Sequence, residues 1–332
     1  MNPNIGRLAD RRPARVTICV LVCIPNLSGY YAHRVEVLRL CLSSLFATLD
    51  PTCCDVLLFD NGSCPEVAAL LRGLHDQGRV EYLFRSRHNI GKANAYRQMF
   101  AAAPGDVIAY ADDDVLFHPG WLASQLAVLD AFPRVGMVSG VPVNLQFAYG
   151  NRYLPAYLSE FPDIVVRRGH FIPDEWRREF DRSTGRGDDE TSRLEEVLLT
   201  RGGVSAYATA SHFQFIARRD VILQALPAQF EPSLMRAPVR AVDERLDELG
   251  FARLSTSTRF VQHIGNVVSP DLREAIDALG LAGEVRVWAP PGRVQRALAA
   301  LVGVGVSLRN WFYFVTRYRT QQQRDTQRQP RS

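Results

Sequence analysis

An α/β fold is the expectation for this chain, on three observations made in its first half. Short apolar runs recur at about residues 16–24, 54–60, 79–84, 106–111 and 135–141; the segments between them carry apolar residues at helical spacing; and polar or acidic residues stand where the runs end. A sheet of mostly parallel strands with crossover helices accounts for all three, because strands covered on both faces read as near-continuous apolar stretches.

The elements follow in order. The run from Val16 ends at Pro25, and helix 35–49 repeats Val37, Leu38, Leu42, Leu45, Phe46 and Leu49 along one face. Further helices are expected at 65–75, 92–102 and 121–131, the last two after Gly91 and Gly120. Residues 148–203 are charged, aromatic and interrupted by Pro155, Pro162, Pro173, Gly185 and Gly187, as in a functional lid or a mobile insertion. Strand-like sequence returns at 205–217, a helix follows from Arg219, and another runs from Val242 to Leu249 and stops at Gly250. The expected organisation is a basic N-terminal segment (1–15), a ligand-binding half (16–147), the insertion (148–204), a catalytic half (205–268), C-terminal helices (269–320) and a disordered tail (321–332).

At 332 residues and 47% hydrophobic content the chain can bury a full core. Its net charge of +4 is uneven: residues 293–332 hold eight arginines against the single acid Asp325, so the remainder is net acidic. Basic residues interleaved with aromatics along core elements are missing, which argues against nucleic acid as a partner. All six cysteines fall between Cys19 and Cys64 without a C-x-x-C pair, as expected of reduced, buried thiols in a cytoplasmic protein.

Three consecutive aspartates, Asp112, Asp113 and Asp114, close the run from Val107 to Ala111. In an α/β sheet the C-terminal strand ends open into the ligand crevice, and mutual repulsion there calls for a cation. Alternate carboxylates suit a ligand hydroxyl (Asp112) and a hard divalent ion with substrate phosphates (Asp114); Asp113 points to the other face of an extended backbone in a supporting role. An acidic loop leading into the next helix is the alternative.

Four features line up at strand ends: Cys23-Ile24-Pro25-Asn26, Phe59-Asp60-Asn61-Gly62-Ser63, Asn89-Ile90-Gly91-Lys92-Ala93-Asn94-Ala95, and the aspartates. As an ordered set they resemble the nucleotide-sugar-binding half of the inverting glycosyltransferases of family 2, well over 16–142 and loosely over 205–266. The resemblance implies a GT-A fold: a Rossmann-like mixed sheet with helices on both faces, here with a C-terminal helical extension. It also implies a nucleotide-diphospho-sugar donor, uridine favoured, and Mn2+ or Mg2+.

By the same resemblance Pro25 and Asn26 contact the nucleotide, Asp60 accepts a hydrogen bond from the base beside Asn61, and Asn89 and Gly91 shape the next wall. Asp60 to Ser63 also reads as a plain turn. Lys92, the only lysine among 39 basic residues, would approach the diphosphate or ribose, unless it is simply a solvated helix start. Asp112 and Asp113 would border the ribose; Asp114, Asp112 and His263 would face the metal ion. Asp243 and Glu244 resemble the acidic pair that supplies the catalytic base, with Asp243 preferred, although acids in a first helical turn are also ordinary dipole partners. His263 is equally readable as a hydrogen-bonded strand-end histidine. Trp176, His212 and Phe213 are candidates for the acceptor wall.

Residues 297–308 carry no charge and precede Trp311-Phe312-Tyr313-Phe314, Arg317 and Arg319. That pattern suits peripheral attachment to the inner face of the cell membrane, or packing against protein, including a second copy in a homodimer. The expected activity is transfer of a sugar to a saccharide, lipid-linked or secondary-metabolite acceptor, in the manner of polysaccharide biosynthesis at the cell envelope. A nucleotidyltransferase and a non-catalytic nucleotide-binding protein are the alternatives. The missing glycine-rich phosphate loop counts against the first, and the intact acids against the second.

Overall fold

The computed structural model describes residues 12–142, 152–185, 194–226 and 240–283. The first half runs β1 (Val16–Val22), α1 (Arg34–Thr48), β2 (Cys54–Asn61), α2 (Pro65–Asp76), β3 (Tyr82–Ser86), α3 (Lys92–Ala102) and β4 (Val107–Asp112). It continues through β5 (Val115–Phe117), α4 (Trp121–Ala131) and β6 (Val135–Ser139). The second half holds α5 (Leu154–Glu160), β7 (Val165–Gly169), α6 (Asp174–Ser183), β8 (Glu196–Arg201), β9 (Val204–Tyr207) and β10 (Gln214–Arg218). After it come α7 (Arg219–Gln224), α8 (Arg240–Glu248), β11 (Ala252–Thr256), β12 (Val261–His263) and α9 (Arg273–Ala278).

Ten strands form one mixed sheet in the order β3-β2-β1-β4-β10-β6-β11-β9-β8-β7, and β5 pairs with β12 in a separate antiparallel ribbon. Strands β1 to β4 are mutually parallel, while β10 runs antiparallel between β4 and β6. Alternation along β1 divides the core. Val16, Ile18, Val20 and Val22 pack with Val37, Leu38 and Leu45 of α1 and Leu71 of α2. Cys19 and Leu21 face the opposite side, with Tyr96, Met99 and Phe100 of α3. Helices therefore cover both faces, as the sequence predicts.

The ends of these elements have local causes. Pro65 opens α2, where its fixed φ suits the first helical turn and its missing N–H costs nothing. Gly91 precedes α3 with φ 81°, and Pro104 follows its last turn. All six cysteines are free, but Cys53 is exposed, so burial holds for only part of that set.

Three differences from the sequence reading have physical reasons. The stretch 205–217 is two strands, β9 and β10, around a turn at 208–213 that lacks the glycine or proline marking most turns. The core strand β11 was hidden by Arg253, the second of its five residues, a charge buried beside Asp243. The described parts of 148–203 supply α5, β7, α6 and β8, so much of this charged stretch extends the sheet. Edge strand β7, with Val165 and Val166 exposed, lacks the one-sided burial that makes a strand legible.

Gly62, after β2, adopts φ 81°, and a Cβ there would stand 2.6 Å from the Asn89 amide nitrogen. Both the dihedral and the close backbone approach exclude a side chain. Gly62→Ala is expected to cost about 1–3 kcal/mol of stability, read as a lower urea midpoint with an unchanged slope.

Candidate functional site

The C-terminal ends of β1, β2 and β4 lie side by side, and the loop after β3 closes one flank. Asp60 is buried; its carboxylate accepts from the Ser63 amide at 2.8 Å and from Arg85 Nε at 3.0 Å. The turn role is therefore occupied, and a base could use only a remaining lone pair. Asn61 joins the two loops, donating to Asn89 Oδ1 at 3.1 Å and accepting from the Ile90 amide at 2.9 Å. Asn89 Oδ1 also receives the Gly91 amide at 2.8 Å. Pro25 and Asn26 are exposed on the loop after β1, where Asn26 accepts from the Ser28 amide.

The aspartates are held by two resident cations. Lys92 Nζ lies 2.7 Å from the Asp112 carboxylate, and the Tyr110 hydroxyl donates to the same group. Burial opposes the Lys92 charge, but Asp112 more than offsets it and holds the ammonium above its ordinary value. Arg34, in the first turn of α1, reaches Asp113 through one terminal nitrogen and Asp114 through the other, the latter at 2.8 Å. That second nitrogen also donates to the Gly265 carbonyl at 3.2 Å.

Burial pushes Asp113 up to about 6, with Arg34 pulling it down and Asp114 and Asp112 pushing it further up. Asp114 moves the opposite way: burial raises it, but His263 and Arg34 together outweigh that and leave it below the ordinary carboxylate value. Sequence reasoning missed Arg34. It sits 79 and 80 positions from its partners, in a chain where arginine is the ordinary cation, so no local signal singles it out.

The strand-alternation expectation also needs correcting. The backbone leaves β4 at Asp112 and turns through Asp113 and Asp114 before β5. Asp113 and Asp114 therefore share Arg34, while Asp112 is separated from them on Lys92 and Tyr110.

The β5–β12 ribbon pairs His263 with Val115, and the Ile264 amide donates to the Asp114 carbonyl at 2.8 Å. This brings His263 Nε2 to 3.5 Å from the Asp114 carboxylate, with Nδ1 2.9 Å from the Ser183 hydroxyl. Asp114 Oδ1 is buried with no hydrogen-bond partner. Asp114 and His263 therefore come together while Asp112 stands apart on Lys92, and among the described residues no three of His, Cys, Asp or Glu are gathered to hold a metal ion.

His263 also lines an open cleft together with Trp176, Glu179, Phe180, Phe213 and Arg259. Arg259 lies over the Trp176 ring, 5.3 Å from its centroid, and pairs with Glu179. Trp176 and Phe213, two of the expected acceptor-wall residues, meet here.

Asp243 lies in α8 and is 1% exposed, below the crevice surface rather than on it. Its neighbours are Arg253 at 2.9 Å and His212 Nε2 at 3.1 Å. Glu244 is half-buried beside it.

The family described as Glycosyl transferase family 2 matches residues 27–182. These residues are a glycosyltransferase family 2 domain. The matched span contains Asp60, Lys92, the three aspartates and Arg34, and the mixed sheet covered by helices on both faces is the GT-A arrangement. No curated protein matches the sequence.

Solved structures similar to the chain include GalNAc-T7 with UDP, GalNAc and Mn2+, at 12% identity and TM-score 0.45, covering 76% of this chain and 44% of that one. S. aureus TarS 1-349 aligns at 12% identity and TM-score 0.43, covering 80% and 64%. The mannosyltransferase PcManGT from Pyrobaculum calidifontis, in complex with GDP-Man and Mn2+, aligns at 23% identity and TM-score 0.33, covering 42% and 40%. The chain thus spans less than two thirds of each of these structures. No helix among the described residues is long and apolar enough to cross a membrane, and residues 297–319 lie outside the described set.

Removing Arg34 leaves two buried carboxylates facing each other. Arg34→Met is expected to cost about 3–5 kcal/mol, the scale for breaking a buried ion pair from one side. Adding Asp113→Asn should recover part of that loss, because the stranded charge goes with it. Urea unfolding of the two single variants and the double variant reads the coupling; simple additivity would mean that the pair does not act as a unit.

Proposed function

We propose that this chain is an inverting glycosyltransferase that moves a sugar from a nucleoside-diphosphate donor, UDP favoured, to a saccharide, lipid-linked or secondary-metabolite hydroxyl. The observation carrying this reading is the convergence, within a family 2 domain, of Asp60, Asn61, Asn89, Lys92 and the aspartates on one strand-end crevice. In this reading the nucleotide lies against Pro25 and Asn26, with Asp60, Asn61, Asn89 and Gly91 forming its wall. Asp112, fixed by Lys92 and Tyr110, presents its remaining lone pairs to the ribose. Residues 16–147 serve the donor and 205–268 the acceptor.

Breaking the anomeric bond leaves negative charge on the β-phosphate, and Lys92 and Arg34 place fixed positive charge beside it. Mn2+ or Mg2+ held by Asp114 and His263 would add Lewis-acid stabilisation of the departing diphosphate. Inversion by a single displacement needs a base opposite the leaving group, and the Asp243–Glu244 segment marks that side. Association with a membrane surface, or with a second copy, would rest on residues 297–319.

Calorimetry with UDP and with GDP, each with Mn2+ and with a chelator, tests the donor assignment. One of the two should bind the wild type, Asp114→Ala should lose the metal-dependent part of the affinity, and Asp113→Ala should be milder. Failure of both nucleotides to bind would sink the transferase reading. Equal affinity in wild type and Asp114→Ala would sink the metal assignment alone.

A further inference from the structure

The direction of His263 is set by a segment far from it in the chain. Its ring packs against α6, the helix inside the charged stretch that the sequence marks as an insertion. Phe180 of α6 and Phe213 stack on each other with ring centroids 5.7 Å apart, and both meet the imidazole at a steep angle, at 5.8 and 5.2 Å. Ser183, one helical turn after Phe180, places its hydroxyl 2.9 Å from Nδ1. The Ser183 carbonyl meets the backbone beyond the histidine as well: a Cβ on Gly265 would stand 2.6 Å from that oxygen. The end of α6 is therefore closed on residues 263–265 through both backbone and side chains.

The Ser183 hydroxyl decides which ring nitrogen carries hydrogen. Its oxygen lies 2.7 Å from the Phe180 carbonyl and 2.9 Å from Nδ1, with a single hydrogen to serve both. A carbonyl can only accept. Were the hydrogen aimed at Nδ1, two oxygens would face each other at 2.7 Å with nothing between them. The hydroxyl therefore donates to Phe180, and its oxygen accepts from Nδ1–H. That leaves Nε2, 3.5 Å from the Asp114 carboxylate, as the nitrogen free to exchange its proton or to bind a partner.

We propose that Ser183 is the positioning residue for His263: by holding the hydrogen on Nδ1 it fixes Nε2 as the nitrogen presented to Asp114. Partners of this kind set the tautomer and orientation of a histidine, and losing one costs about 10–100-fold in metal affinity or activity where the histidine serves a metal site. The functional part of the inference rests on the transferase reading, in which His263 and Asp114 act together at the donor diphosphate; the geometric part does not. It gives α6 a share in the donor crevice, beside the cleft that the same helix lines.

Nitrogen NMR on the full-length protein with isotope-labelled histidine tests the geometry without any ligand. His263→Gln identifies the His263 signals among the seven histidines. At alkaline pH, where imidazoles are neutral, wild-type His263 should carry its hydrogen on Nδ1. Ser183→Ala should shift the ring toward the Nε2-protonated form, and Ser183→Thr, which keeps the hydroxyl, should retain the wild-type pattern. In calorimetry with UDP and with GDP in the presence of Mn2+, Ser183→Ala should weaken whichever nucleotide the wild type binds by about tenfold, while Ser183→Thr binds like the wild type.

A wild-type His263 protonated on Nε2 overturns the proposal. So does an unchanged tautomer in Ser183→Ala, whatever happens to affinity, since any loss would then come through the helix and not through the ring. A shifted tautomer with wild-type affinity overturns the functional part. Should Ser183→Ala shift the tautomer while neither nucleotide binds even the wild type, Ser183 keeps its positioning role and the transferase reading is what fails.

Discussion

Three carboxylates at the end of a buried strand cannot share one crevice unless cations share it with them, and the arrangement of those cations organises the rest of the site. Arg34 contributes the part that no mobile ion can replace. Its guanidinium is planar, permanently charged and able to take Asp113 and Asp114 at once, while one nitrogen also bonds the Gly265 carbonyl. Because it projects from the first turn of α1, the same contacts tie that helix to the strand ends. The segment after β12 is tied in as well. Lys92 does the equivalent on the other side, anchoring α3 to Asp112. The acids are thus both the floor of the crevice and the fasteners of the two helices that flank it.

Much of this was legible because it depends on neighbours in sequence. The strands β1, β2, β4 and β6 were marked by uninterrupted apolar runs, and the helices between them by their spacing. Gly62 and Gly91 marked sharp turns that the structure contains. Legibility ended where a feature needs partners from distant segments. Arg34 meets Asp113 and Asp114 across 79 and 80 positions, and Arg253 looks like an exposed charge until Asp243 is placed against it. Lys92 was visible only because composition makes it unique. Asp112, Asp113 and Asp114 were recognised, but their directions were not. Side-chain alternation holds only while the backbone stays extended, and here it turns after Asp112.

The residues that the resemblance assigns to a nucleotide wall are held by a turn network. Asp60 to Ser63 reads as a turn or as a nucleotide wall, and the structure shows the turn. The carboxylate of Asp60 closes the turn through the Ser63 amide, Gly62 allows the close backbone approach of the 88–89 loop, and Asn61 bonds to that loop. Such a network holds each of its polar groups in a fixed orientation.

The charges at the strand ends and those buried in the core are held in different ways. At the strand ends the positive charge is fixed: Arg34 and Lys92 are both held protonated by the carboxylates beside them. Fixed positive charge stabilises a departing diphosphate without gaining or losing a proton. Elsewhere in the fold a buried ion pair joins Asp243 to Arg253, and His212 Nε2 lies 3.1 Å from the same carboxylate. Removing either member of that pair would strand the other's charge in the core, so the two are fixed together.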